Sequence, residues 1–278
     1  MSWSVIAAKE FDDAVRSKLL WGLVTVVALV MGLTSLVPLL IPEFDGSVLL
    51  GLGAATEFAA MLVPIVSLVA AYLAIAGERE SGSLRLLLGL KPARGTVVLG
   101  KFVGRSGVVV AGVGIGVLIA GLLAFLVYGE LPVATFGLIV LLTAALGVSF
   151  VGIAIGISAA TATRARAMTL GIAVYLGLAL LWDLVPQGAH LVVLGEFPSS
   201  TVPAWYILVE GLSPSGAYSA LVTAVLSANN PAIPGAEALL GGPVPFYAQW
   251  WVFALVLAAW TTIPLVLGYL VFRRTDLN

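Results

Sequence analysis

The sequence predicts an all-α, polytopic membrane protein with six transmembrane helices, and three observations predict it. Of 278 residues, 61% are hydrophobic and only 10% are charged. A soluble domain carries about a quarter charged residues, so this chain has too little polar surface to cover its fold in water. Six runs reach the roughly 20 apolar residues that a hydrocarbon core requires. Finally, the 13 Lys and Arg residues fall only in alternate connections between those runs. A net charge of −1 gives no basis for a nucleic-acid partner, and the absence of cysteine excludes disulfides and zinc–thiolate sites.

In chain order, residues 1–18 come first. Trp3, Ile6, Ala7, Phe11, Ala14 and Val15 recur at helical spacing, and Lys9, Glu10, Asp12, Asp13 and Arg16 fill the remaining positions. This pattern suits an amphipathic helix lying in the membrane interface, the alternative being a frayed tail. The stretch lacks the basic start, short apolar run and small-residue site of a cleavable signal, so the first apolar run is read as retained. The six spans are Leu19–Ile41, Phe58–Ala76, Val108–Tyr128, Val133–Ala160, Met168–Val185 and Trp250–Phe272. Pro38, Pro64 and Pro264 are tolerable within them because neighbouring helices satisfy the freed backbone groups.

Orientation follows from charge. Lys9, Arg16 and Lys18 precede the first span, and Arg79, Arg85, Lys91, Arg94, Lys101 and Arg105 lie between the second and third. Arg164 and Arg166 join the fourth and fifth, and Arg273 and Arg274 follow the sixth. The other connections carry only acids. The positive-inside rule then places both termini in the cytoplasm of a plasma-membrane protein. Residues 202–226 are apolar enough to suggest a further span, but Glu210, Pro214 and Gly216 interrupt them. They are read as one or two short helices on, or dipping into, the outer face, within an extracytoplasmic segment 186–247. The whole chain, 1–278, forms one transmembrane domain.

The connection 77–101 reads GERESGSLRLLLGLKPARGTVVLGK. Glu78 and Glu80 lead into Ser81, Gly82 and Ser83, and either serine suits a helix start with acids placed well for the helix dipole. Leu84, Leu87 and Leu88 form one apolar face, and Pro92 stops the helix. Such a helix is too short to cross the membrane. Either it floats on lipid or its apolar face inserts into a partner protein. Thr161, Thr163, Arg164 and Arg166 in the next inner connection are a second candidate contact, or simply topology-setting charge.

Here the chain resembles the ABC-2 type transporter permeases. The shared pattern is an acid (Glu80), Gly82-Ser83-Leu84, the paired Leu87-Leu88, Pro92-Ala93-Arg94 and Gly100-Lys101. The resemblance is nearest to the NosY-type branch, the permeases of the system that matures the copper sites of nitrous oxide reductase. It takes in Lys9-Glu10, six spans, the loop and the long outer segment. It implies that residues 77–101 form a coupling helix docked on a separate ABC ATPase subunit, where ATP and Mg reside, with no cofactor in this chain. It also implies a second permease copy and force or material passed outward. The apolar, glycine- and proline-rich composition of the outer segment suits either a docking surface for an accessory subunit or a lid that hugs the membrane lipid. Generic exporters of drugs, peptides or lipids share the loop pattern.

Other motifs carry less. Gly95 to Phe102 nearly matches a phosphate-binding loop, but Phe102 replaces the magnesium-binding hydroxyl and no strand precedes it. Gly112-x-x-x-Gly116 and Gly152-x-x-x-Gly156 suit close helix packing within the subunit. Asp183 is an ionisable residue in a span, a functional candidate by default, although its place near the outer end suits a structural role. Glu57, at the expected outer start of span two, is weaker. His190 is the only histidine, and with four methionines it makes no metal-ligand spacing. No catalytic constellation suggests an enzyme. A stand-alone carrier or channel would show internal repeats and midplane charges, which are absent from the sequence.

Overall fold

A computed structural model describes residues 2–40, 47–84 and 92–275, and every regular element among them is helical. Helix α1 is Trp3–Val15 and α2 is Lys18–Thr34, followed by a 3-10 turn at Val37–Leu40. Helix α3 is Val48–Ala71, α4 is Ala76–Ser81, α5 is Arg94–Tyr128 and α6 is Val133–Ala160. Helix α7, Arg164–Tyr175, runs into a π-helical turn at Leu176–Leu180, and α8 is Leu184–Leu194. Helices α9 (Ala204–Glu210), α10 (Pro214–Ser227) and α11 (Ala236–Leu240) precede the last helix, α12 (Trp250–Arg274).

Four helices of the described residues are long and apolar enough to cross a membrane unbroken. Two more candidates are bent pairs, α1 with α2 at 71° and α7 with α8 at 54°. The chain is therefore a multi-pass membrane protein with four to six spans. Several expected boundaries move. The second span begins at Val48 rather than Phe58, which puts Glu57 well inside a helix instead of at its outer start. The third begins at Arg94 rather than Val108, because the glycines at 95, 100, 104 and 107 do not break it. At 35 residues α5 is roughly 52 Å long against a hydrocarbon core of about 30 Å, so its basic first turns project beyond the apolar layer. Pro38 falls in the 3-10 turn, whereas Pro64 and Pro264 sit inside α3 and α12 as expected.

Local chemistry sets the helix ends. Ser17 caps α2 by accepting from the Leu20 N–H, and Ser213 caps α10 by accepting from the Gly216 N–H at 2.9 Å with Pro214 in the first turn. Gly129 and Gly195 end α5 and α8 in the left-handed conformation, at φ 75° and 77°.

Helix α6 is the centre of the bundle. Of its most apolar stretch 61% is buried, against 17% for α12, which therefore turns most of its surface outward, as a lipid-facing helix does. The two meet backbone to backbone: a Cβ at Gly152 or Gly156 would overlap the Thr261 and Pro264 carbonyls, and one at Gly268 would overlap Gly156. Helix α10 wedges among α3, α6 and α12. Buried Tyr218 reaches Thr143 Oγ1 at 3.0 Å, and the Ser215 hydroxyl donates to the Ala60 carbonyl. Residues 202–226 thus form two short helices that dip into the bundle rather than lie across its end.

Candidate functional site

The described basic residues of α3 to α7 gather at one end of the bundle. There α4 joins two connections distant in sequence. The Ser158 hydroxyl, in the last turn of α6, accepts from the Ile75 and Ala76 N–H groups at 3.0 Å each. Glu80 accepts from the Arg164 N–H, which places a carboxylate where the first free N–H groups of α7 favour negative charge. Thr163 accepts from the Arg166 N–H at 3.4 Å, Arg164 reaches the Gly77 carbonyl at 3.4 Å, and Arg79 reaches the Thr161 carbonyl at 3.5 Å. The stretches around Glu80 and Arg164, read separately in the sequence, are one platform. The Arg166 side chain is exposed upon it.

Ser81 ends α4, and the hydroxyls of both Ser81 and Ser83 donate back to the Glu78 carbonyl, at 3.2 and 3.4 Å. Helical backbone resumes at Ser83 and Leu84, where this described stretch ends. Gly82 adopts φ 79°, a left-handed turn that a side chain would strain. Leu84 is fully buried and Pro92 is buried. Leu87 and Leu88 lie outside the described residues. Arg94 turns away from the loop: its guanidinium donates to the Phe272, Arg273 and Thr275 carbonyls and sits 5.3 Å from the Phe272 ring centroid. It closes the C-terminal end of α12, whose last carbonyls lack helical partners.

Lys101 stands on α5 rather than in a loop, and it is 1% exposed. Its ammonium pairs with Glu10 of α1 and, at 2.8 Å, with Glu78 Oε1 of α4. Arg105, one turn on, donates to Glu10 Oε2 at 2.7 and 2.8 Å and to the Ala70 carbonyl of α3 at 2.9 Å. Two acids and two bases from three helices thus cancel in a nearly dry site. Burial alone raises the Glu10 carboxyl, but the Lys101 and Arg105 charges and hydrogen bonds outweigh it and hold its pKa below the ordinary 4.5. Glu78 Oε2 is buried without a hydrogen-bond partner among the described residues. Helix α1 reaches this site because α5 presents glycines to it. A Cβ at Gly100 would lie 2.7 Å from Ile6 Cβ, and one at Gly104 would lie 2.6 Å from the Ala7 carbonyl oxygen.

Toward the opposite end the charges are unbalanced. A cavity of about 810 Å³ is lined by Glu57, Asp183, Glu210 and Glu237, by hydroxyls such as Ser219 and Thr223, and by no basic residue. Asp183 lies at the break between the π turn and α8, and Trp182 beside it donates to the Val209 carbonyl at 3.0 Å. Burial, followed by the Asp183 and Glu57 charges, raises the Glu210 carboxyl above its ordinary value. His190 is buried away from the cavity lining, with Nδ1 2.8 Å from the Glu196 carbonyl, and no cluster among the described residues fits a metal ion.

The sequence marks Glu10 only as part of the Lys9-Glu10 start and Arg105 only for its charge, and gives neither a site role, although a signal exists. Ile6, Ala7, Glu10 and Ala14 are the buried face of α1, and a carboxylate on an apolar stripe requires a cation. Lys101 and Arg105, four residues apart on one helix face, supply it. The four cavity acids come from four separate segments, and only folding brings them together.

Comparison with known proteins agrees with this architecture. Residues 4–277 match the family model for ABC-2 family transporter proteins. A probable ABC transporter permease protein NosY of Stutzerimonas stutzeri is 30% identical over 275 residues, covering 97% of each chain. A protein of the same description from Pseudomonas aeruginosa is 29% identical over 223 residues, covering 79% of this chain and 78% of its own.

Proposed function

The chain belongs to the ABC-2 transporter family, and from that premise we propose that it is the membrane-spanning permease subunit of an ATP-driven transporter, working as a homodimer with a separate ATPase. Its basic end faces the cytoplasm with both termini, α1 lies in the membrane interface, α2 and the bent α7–α8 pair each count as one span, and the total is six. ATP and Mg bind in the ATPase, and this chain is not itself an enzyme. Residues 77–101, with Arg164 and Arg166 beside them, form the docking surface.

The observation that carries this reading is the platform at the basic end. The Glu80 carboxylate on the Arg164 N–H and the Ser158 hydroxyl on Ile75 and Ala76 unite two inner connections. A push on the loop therefore loads α6 and α7 together, and α6, the central helix, extends from this platform to the far end of the bundle. ATP-driven closure of two ATPases would approximate two such platforms, and packed helices transmit that displacement as rigid bodies.

Within the family we place the chain in the NosY-like branch, serving copper-site maturation with an accessory subunit docked on segment 186–247. The support is the near-complete coverage of the Stutzerimonas stutzeri relative. A generic exporter is the second reading, and the acid-lined cavity favours it by offering room for a cargo. A stand-alone carrier has no observation in its favour.

Affinity purification from native membranes in mild detergent tests all three. An equimolar ATPase supports the permease reading, and an added extracytoplasmic copper-maturation subunit selects the NosY-like branch. Recovery without any ATPase, under conditions that keep other ABC complexes whole, rejects the family role. Glu80→Ala and Leu87→Asp should each abolish ATPase recovery while leaving membrane insertion intact.

A further inference from the structure

We infer that Glu10 is a positioning residue of the coupling apparatus, locking the N-terminal helix α1 to the coupling loop through Lys101, so that α1, α4 and the start of α5 move as one body. The inference rests on the permease reading above and adds to it an element, α1, that lies far from the loop in sequence.

The argument begins with how α1 is held. Its close contacts with α5 include Ile6, Ala7 and Trp3 against Gly100 and Gly104, and Phe11 against Gly107. The glycine stripe gives close approach with Ile6 seated at Gly100, and the ion pairs add a register-specific constraint to that packing. Glu10 is 3% exposed and uses both oxygens, one on Lys101 and one on Arg105.

Such a site is a poor stabiliser. Desolvating several charges cancels most of their attraction, and apolar residues of equal volume often serve stability as well; fixing register is the best-attested use of buried ion pairs. Among the described residues, the ion pair from this site to α4 is the one between Glu78 Oε1 and Lys101. Displacement of α4 thus passes from Glu78 to Lys101, and Lys101 passes it to Glu10 and α1. Arg105 adds α3 through the Ala70 carbonyl.

The test uses the full ATPase complex in lipid nanodiscs. The chain contains no cysteine, so labels are placed cleanly. Spin labels go on Asp13→Cys in α1 and Ser81→Cys in α4, both exposed, with one labelled chain per dimer. The distance is read without nucleotide and after trapping with ATP and vanadate. The expected result is one narrow distance, equal in both states. In Glu10→Gln/Lys101→Met, which removes one acid and one base and keeps the site neutral, the ATPase is still recovered, but the distance broadens and changes on trapping. ATP hydrolysis should fall about tenfold, within the range of site-to-site coupling.

Glu78→Gln cuts the same link at a side chain 23% exposed, so it decides the matter if the double variant does not insert. A wild-type distance that shifts on trapping, or variants with wild-type hydrolysis and an unchanged distance, overturn the inference. Failure of the wild-type chain to recover any ATPase overturns the permease reading itself.

Discussion

Glu10 and Glu210 are chemically the same residue, each drawn partly or wholly from water, at different ends of one bundle, and they respond in opposite directions. Glu10 meets two cations and is held in its charged form. Glu210 meets Asp183 and Glu57 at a cavity with no base in its lining, and is pushed toward its neutral form. Burial raises both carboxyls and is the largest cause at Glu210, where the acidic neighbours add to it; at Glu10 two cations overturn it. At the basic end charge is consumed inside the structure as a fastener. At the acidic end it is left unspent around open space.

Four measurements would break or sharpen that contrast. The largest effect belongs to Lys101→Met, which leaves Glu10 and Glu78 without their shared cation. Unfolding in detergent should show a loss of about 3–5 kcal/mol, the usual result of removing one partner from a buried pair. A loss below 1 kcal/mol would mean that water enters the site freely.

Next comes Gly156→Leu, which drives a side chain into the Pro264 carbonyl and should cost about 1–3 kcal/mol by overpacking. Gly137→Ala, with open space around its Cβ position, should be neutral or slightly stabilising by comparison.

The third is a pH profile of melting temperature. The contribution of Glu10, whose folded pKa is lowered, is complete above its ordinary 4.5 and disappears as pH falls through the lowered value. The penalty from Glu210, whose folded pKa is raised, is complete above that raised value and is relieved as pH falls toward 4.5. Glu210→Gln should therefore raise the melting temperature at neutral pH and lose its advantage in acid. Glu10→Gln should remove the acid-side decline. Identical profiles for both variants would sink the contrast.

The smallest effect is Arg94→Lys, which exchanges a planar fork for a single ammonium. It should cost about 0.5–1.5 kcal/mol. Faster hydrogen exchange confined to the end of α12 would report it.

The long apolar helices were legible because their signal is local. Val133–Ala160 matches its expected bounds, and α12 differs from its expected end by two residues. The start of α5 was hidden by its glycines, which read as loop residues in isolation. Their reason is α1 lying against them, a contact between segments some ninety residues apart. The break in the fifth span was equally hidden, since Leu176–Leu180 is as apolar as an unbroken helix would be. At the candidate site the sequence offered the acid-Gly-Ser-Leu pattern of the loop 77–101. It did not say which side chains face inward. Lys101 and Arg94 bind the chain's own elements, and Glu80 accepts from the Arg164 N–H.

Arg94 has one more implication. It grips three main-chain oxygens at the end of α12, and its guanidinium bonds none of the side chains of Arg273, Arg274 or Thr275. Its grip is blind to sequence there. Drift at positions 273 and 274 leaves the clasp untouched, so those arginines are free to answer to a different demand, the sidedness of the last helix in the bilayer. Two duties meet at one helix end without sharing a side chain, and each can vary over generations without consulting the other.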